Sequence, residues 1–189
     1  MSKEFSERSI QSWSERLPFS YTILKPSILI GTPENPGPIQ GVTLVAKALM
    51  IMLKVVDRTV KGISSVAMLP TLEGVTRLKG VPESHLNVIP VDIVAEGIAR
   101  SFLEKNRILY LTNPNPPTVQ EVASEIGNAF GHRFVLQEEF KASIPERILQ
   151  KETKPVQPYL TSDQHFPSIL EDYYLEPGYI ELLVRKSFL

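Results

Sequence analysis

The chain has 189 residues, enough for one domain with a real hydrophobic core. Its 20 Lys and Arg residues face 21 Asp and Glu, a net charge of -1, and no basic stripe argues for nucleic-acid binding. The absence of cysteine excludes disulfides, thiolate metal sites and a cysteine nucleophile.

In chain order, Ser2 to Leu17 reads as a polar helix anchored by a thin stripe of Phe5, Ile10, Trp13 and Leu17, with Pro18 as its stop. On that helix Lys3 and Glu7 lie four apart and share a face, which by itself describes a solvated ion pair. Phe19 to Leu24 alternates and is rich in aromatic and β-branched residues, the pattern of a strand. Lys25-Pro26-Ser27 is expected to end its ladder, because proline donates no hydrogen bond. Ile28 to Gly31 leaves the strand as an apolar segment, and a Pro/Gly loop follows to Gly41.

Val42 to Val56 reads as a helix of about four turns, apolar on nearly every side except at Lys47 and Lys54. The apolar stretch to Val60 has Ala48 to Leu53 as its longest uncharged run, far short of the roughly 20 residues of a spanning helix. Ser65 to Leu69 is a short strand candidate, and Gly74 to Pro82 is turn-rich without a clear assignment. Leu86 to Val91 is a strand, with Asp92 as expected N-cap of a helix from Ile93 to about Leu103. Ile108 to Leu111 is a short buried strand. Thr118 and Glu121 form a capping box for a helix carrying Val119, Val122, Ala123, Ile126 and Phe130, with Gly131 as its stop. Arg133 to Gln137 reads as one more strand, and the proline-punctuated remainder as short helices and loops wrapped on the surface.

Chemistry is sparse at this level. No glycine-rich dinucleotide loop, P-loop or Gly-x-Ser-x-Gly elbow is present. His85, His132 and His165 lie far apart without ligand spacing, as ordinary loop or surface histidines do. No charged-then-apolar leader opens the chain, so a cytoplasmic location is expected.

Four segments, taken in order, resemble one family. Ser2-Lys3 with Glu7 is similar to the tail of the active-site helix of extended short-chain dehydrogenases/reductases, which carries Tyr-x-x-x-Lys. Tyr21 to Gly31 looks like the following strand and nicotinamide-side loop, with Lys25 where an arginine is common. Val88 to Ala95 resembles the Pro-Val-Asp-x-Val-Ala entry into a helix. Tyr110 to Pro114, on to Thr118, resembles the return strand and turn of the thioester and fatty-acyl reductase branch of these NAD-dependent epimerase/dehydratase-like enzymes.

The resemblance, which runs from Ser2 to about Gly131, implies an α/β fold: an incomplete Rossmann-type sheet, last strands only, plus a mixed α/β substrate-binding lobe. It divides the chain into residues 1–31, the end of the dinucleotide-binding domain; 32–107, substrate lobe; 108–131, return strand and helix; and 132–189, C-terminal substrate lobe. It implies that Lys3 is a catalytic-type lysine that binds the nicotinamide ribose and lowers the pKa of a tyrosine, which would stand two residues before Met1. Pro26, Ser27 and Ile28 would line the nicotinamide, and Gly31 would begin the substrate side. The complete enzyme would use NAD or NADP on a carbonyl, with an acyl thioester as one substrate and sugar epimerase/dehydratase chemistry as the alternative. The chain alone is expected to hold no cofactor tightly and to be inactive. A standalone binding lobe acting through self-association or a partner is the alternative from another class. The strands at Phe19–Leu24 and Ile108–Leu111 are expected to lose neighbours on both sides.

Overall fold

The structure, a computed structural model, describes residues 3–37, 75–163, 165–170 and 172–188. The expected helix at Val42–Val56 and strand at Ser65–Leu69 lie outside the described residues. Among those described, no helix is long and apolar enough to cross a membrane.

Helix α1 (Lys3–Ser14) opens the described chain and strands β1 (Thr22–Pro26) and β2 (Ile28–Ile30) follow, separated by Ser27 alone. Then come β3 (Val75–Lys79), β4 (Val88–Pro90), α2 (Val91–Arg100) with a 3-10 turn to Leu103, and β5 (Arg107–Leu111). Helix α3 (Val119–Ala129), strand β6 (Arg133–Gln137), α4 (Ile144–Thr153), α5 (Gln157–Thr161) and α6 (Tyr179–Phe188) complete the order. The strands form parallel pairs: β1 with β5, β2 with β4, and β3 with β6.

Several of these assignments correct the sequence reading. Strand β1 does not stop before proline but runs in register through Pro26, opposite Leu111. The Ser27 N–H donates to Leu111 C=O at 3.2 Å, and successive residues aim their N–H groups at opposite edges. The proline nitrogen therefore lies on the edge away from β5, where it costs this ladder nothing. Among the described residues β1 and β5 pair with one another. Strand β3 was hidden because its hydrophobic pattern is inverted: Val75 is exposed while Thr76 is buried, its hydroxyl 2.7 Å from His132 Nε2. Asp92 is not the N-cap of α2. Pro90 occupies that position, and Asp92 Oδ1 accepts from the Ile93 N–H at 3.0 Å within the first turn.

Other elements follow their local chemistry as read. Thr118 Oγ1 accepts from the Glu121 N–H at 3.2 Å and Glu121 Oε2 accepts from the Thr118 N–H at 2.7 Å, the two halves of the capping box. Gly131, at φ 65°, takes the left-handed position that ends α3. The C-terminal region is more than surface wrapping, because Ile180, Leu183 and Val184 of α6 are fully buried. Glu125 of α3 fixes the start of α6, accepting from the N–H groups of Gly178 and Ile180 at 2.9 Å each.

Two apolar clusters result. The larger joins Leu78, Phe134 and Leu136 of the β3–β6 pair to Val122 and Ile126 of α3, Leu149 of α4 and the inner face of α6. The smaller holds Ile89, Val94 and Leu111, with Leu24, Leu170 and Tyr173 packed against it. Strand β4 serves both, since Val88 belongs to the first and Ile89 to the second. Helix α1 contributes little: none of its residues is buried, and the expected anchors Phe5 and Trp13 are each 56% exposed.

Two titratable groups make this packing acid-sensitive. Burial alone would raise the pKa of Glu146, but the Arg77 guanidinium at 2.8 Å and the Ser143 N–H at 2.7 Å overcome it and hold the carboxyl at about 2. Burial lowers the pKa of His132 below its usual 6.5. The unfolded chain binds more protons than the folded one at both groups, so stability is full above both ordinary values. It should fall as the pH drops below 6.5, through His132, and again between 4.5 and about 2, through Glu146. A flat melting temperature in wild type between pH 7 and 5, or a Glu146→Gln variant that keeps the low-pH loss in full, would contradict this assignment.

Candidate functional site

The predicted site residues Pro26, Ser27, Ile28 and Gly31 lie where the chain leaves one parallel pair and joins another. The Ser27 N–H closes the β1–β5 ladder, and one residue later the Ile28 N–H donates to Asn87 C=O at 3.1 Å, opening the β2–β4 ladder. Ser27 thus sits at the fork. The fork is tied by two buried asparagines. The Asn87 side-chain N–H donates to Asn113 C=O at 2.9 Å, and Asn87 Oδ1 accepts the Asn113 N–H at 2.9 Å. Asn113 Oδ1 in turn accepts from the Asn115 N–H at 2.9 Å, shaping the turn after β5. Both asparagines are wholly buried, so these bonds are made without competition from water. Ser27 Oγ is buried without a hydrogen-bond partner.

Gly31 follows β2 into a tight turn in which Thr32 and Asn35 exchange backbone hydrogen bonds of 3.0 and 3.1 Å. A side chain at Gly31 would collide with the Pro36 carbonyl, so the turn requires glycine. The phenol of Tyr179, at the start of α6, donates to Gly31 C=O at 3.1 Å. Burial, aided by the carboxylates of Asp92 and Glu34, pushes that phenol up to about 12, so it stays a donor at neutral pH. Burial likewise raises the Tyr173 phenol, with Tyr179 and Asp92 adding to the effect.

Lys3 is exposed at the start of α1 and makes no hydrogen bond or ion pair among the described residues. It does not pair with Glu7. That carboxylate holds Lys25 Nζ at 2.7 Å, a bond that raises the Lys25 pKa and clips α1 onto β1. Lys25 also lies 5.7 Å from the centre of the Tyr110 ring on β5.

The histidines are less scattered than their spacing suggests. His85 Nδ1 is 2.9 Å from Asp163 Oδ1, the same oxygen accepts the His85 N–H, and the rings of His85 and His165 meet edge-on at 5.7 Å. Among the described residues no group of three or more histidines and carboxylates could hold a metal ion. An open groove of about 730 Å³ lies elsewhere, between Gln120, Ser124 and Asn128 of α3 and Arg133 to Val135 of β6, and includes none of the predicted site residues.

Asn87 and Tyr179 were missed by the sequence reading. An asparagine inside an apolar strand approach, such as Leu86-Asn87-Val88, is a signal for a buried polar contact. Tyr179 carries no comparable local sign, because its partner lies 148 residues earlier.

No family model matches the chain, and no curated protein matches it in sequence. Solved structures do resemble it. A UDP-glucose 4-epimerase from Thermotoga maritima, solved with UDP-glucose, aligns over 98% of this chain and 51% of its own, at 13% identity and TM-score 0.55. A GDP-6-OMe-4-keto-L-xylo-heptose reductase from C. jejuni aligns over 92% and 55%, at 10% identity and TM-score 0.51. A GDP-mannoheptose C4 reductase from Campylobacter jejuni, with NADP bound, aligns over 94% and 55%, at 10% identity and TM-score 0.50. The chain spans about half the length of each. These likenesses establish the fold as an α/β arrangement of short parallel strands, part of a Rossmann-like fold.

The asparagine tie has a direct test. Asn87→Ala removes both side-chain bonds to Asn113 and leaves its buried N–H unpaired, at a cost of about 2–4 kcal/mol. Urea unfolding should show it as a lower midpoint. A change under about 0.5 kcal/mol would mean that the tie does not hold the fork.

Proposed function

We propose that this chain is the C-terminal portion of an NAD(P)-dependent oxidoreductase of the extended short-chain type, acting on a carbonyl or its alcohol. The observation that carries the reading is the Ser27 fork at the C-terminal ends of β1 and β5, where open α/β sheets bind their ligands. The Glu7–Lys25 bond supports a place for Lys3 beside it. From Glu7 to Lys3 is one helical turn, about 6 Å, and from Lys25 to Ser27 two strand residues, about 7 Å. If α1 runs antiparallel to β1, both steps lead the same way.

In this reading Lys3 holds the ribose of the nicotinamide half and, as a nearby cation, favours the ionised form of a tyrosine supplied from outside these residues. Pro26, Ser27 and Ile28 line the ring, and Gly31, held by Tyr179, begins the substrate side. The bound nicotinamide supplies hydride chemistry. The fit is one-sided: Ser27 offers an unused hydroxyl to the ring end, while no glycine-rich loop in this sequence cradles a pyrophosphate. Residues 1–31 and 108–131 would belong to the dinucleotide side and 32–107 and 132–189 to the substrate side, with α3 packing onto β6 and α6 across that division.

Nucleotide-sugar epimerisation or reduction is supported by the structural neighbours, and acyl-thioester reduction by the Thr112-Asn113-Pro114 turn alone. A cytoplasmic enzyme fits either. A second reading, a binding lobe that self-associates, is favoured by the exposure of Trp13 at 56%, Leu17 at 55% and Phe19 at 40% in and just after α1.

The 189-residue chain should bind neither NADPH nor NADH at micromolar concentration, and stoichiometric binding in a fluorescence titration would overturn this. The genomic reading frame before Met1 should encode a tyrosine two codons upstream and a glycine-rich loop further up. In the protein so extended, Lys3→Met should lower kcat by about 10²–10⁴-fold. A stop codon there favours the self-associating lobe.

A further inference from the structure

We propose that the end of the β1–β5 pair opposite Ser27 is a membrane-surface contact, and that its partner is a bilayer carrying anionic lipid. Leu17, Phe19, Phe102 and Leu103 form the patch and are 55%, 40%, 87% and 84% exposed. Hydrogen bonds gather them at one place. The Tyr21 N–H donates to Asn106 Oδ1 at 3.3 Å, the Asn106 N–H to Tyr21 C=O at 2.6 Å, and the Thr22 hydroxyl to Glu104 C=O. Phe19 stands two residues before Tyr21 and Leu103 directly before Glu104, so both segments meet at the same strand end.

The turn that carries Phe102 and Leu103 is firmly held. The Ser101 hydroxyl donates to Gly97 C=O at 2.5 Å, and Ser101 C=O accepts the Glu104 N–H at 3.0 Å. Asn106 closes the approach to β5 in the left-handed region, at φ 54°. Ser101 is buried while the two apolar residues after it project into solvent, the reverse of the order that burial selects. Further strands beside β1 or β5 would not cover them, because strands add sideways and leave strand ends open.

Charge and area favour a lipid surface. Residues 13–22 and 96–107 carry four cations against three carboxylates, on a chain whose net charge is -1. Glu104 holds Arg107 at 3.2 Å and Glu96 holds Arg100 at 3.3 Å, while the side chains of Arg16 and Lys105 have no partner among the described residues. Apolar tips beside free cations suit the boundary where acyl chains meet anionic headgroups. A second copy fits less well, since at these exposures four side chains offer less apolar area than the roughly 800 Å² per partner of a stable interface.

The test is co-sedimentation of the 189-residue chain with phosphatidylcholine vesicles, with and without about 30% phosphatidylserine. Phosphatidylserine should raise the bound fraction about 5-fold at low salt, and Lys105→Glu should abolish that gain. Phe102→Ser/Leu103→Ser should lower binding to either vesicle about 10-fold and melt within about 1 °C of wild type, because neither side chain is packed. Failure of wild type to sediment with either vesicle overturns the proposal. So does equal binding by wild type and Phe102→Ser/Leu103→Ser. A concentration-dependent dimer in analytical ultracentrifugation that this double variant abolishes assigns the patch to a second copy, and also overturns it.

Discussion

The reciprocal bonds between Asn87 and Asn113 are the constraint from which the site follows. One side chain satisfies a carbonyl and an N–H of the turn after β5. Its own backbone carbonyl takes the first bond of β2. A single residue therefore sets the distance between two parallel pairs that share no ladder bond. Because both asparagines are wholly buried, the arrangement has little room for an alternative. Ser27 stands between these pairs as a consequence.

The C-terminal helix extends the same logic to the loop after β2. Helix α6 is seated by Glu125 from α3 and by its buried Ile180, Leu183 and Val184, and from that seat Tyr179 reaches Gly31. The loop after β2 is thus held from a distance by an element whose own position depends on the larger core. Residues 167–170 act similarly on β5. The Ile169 N–H donates to Tyr110 C=O at 3.1 Å, and Thr112 donates to Pro167 C=O at 2.8 Å. These bonds cover the side of β5 that faces away from β1.

Much of this was legible from local chemistry. The capping box at Thr118, the glycine stop at 131 and strand β6 are determined by residues within a few positions of one another. Strand β5 has its own apolar run. Long-range pairing is where local reading failed. Strand β3 escapes a local reading because one of its two inward residues is a threonine, made tolerable by a histidine 56 residues later. Pro26 looks like a strand breaker until its partner is known to lie on the other edge. His85 looks solitary because Asp163 is 78 residues away. At the site, Pro26, Ser27, Ile28 and Gly31 could be named from the resemblance, but the fork that unites them depends on Asn87, which carries no motif.

Strand β4 is three residues long, yet it gives Val88 to one cluster and Ile89 to the other. A slip of one position would exchange the two side chains and spoil both clusters at once. The molecule therefore has no independent half in the neighbourhood of the fork. Loosening either side is transmitted through a single dipeptide, and the geometry around Ser27 survives only while both sides are folded.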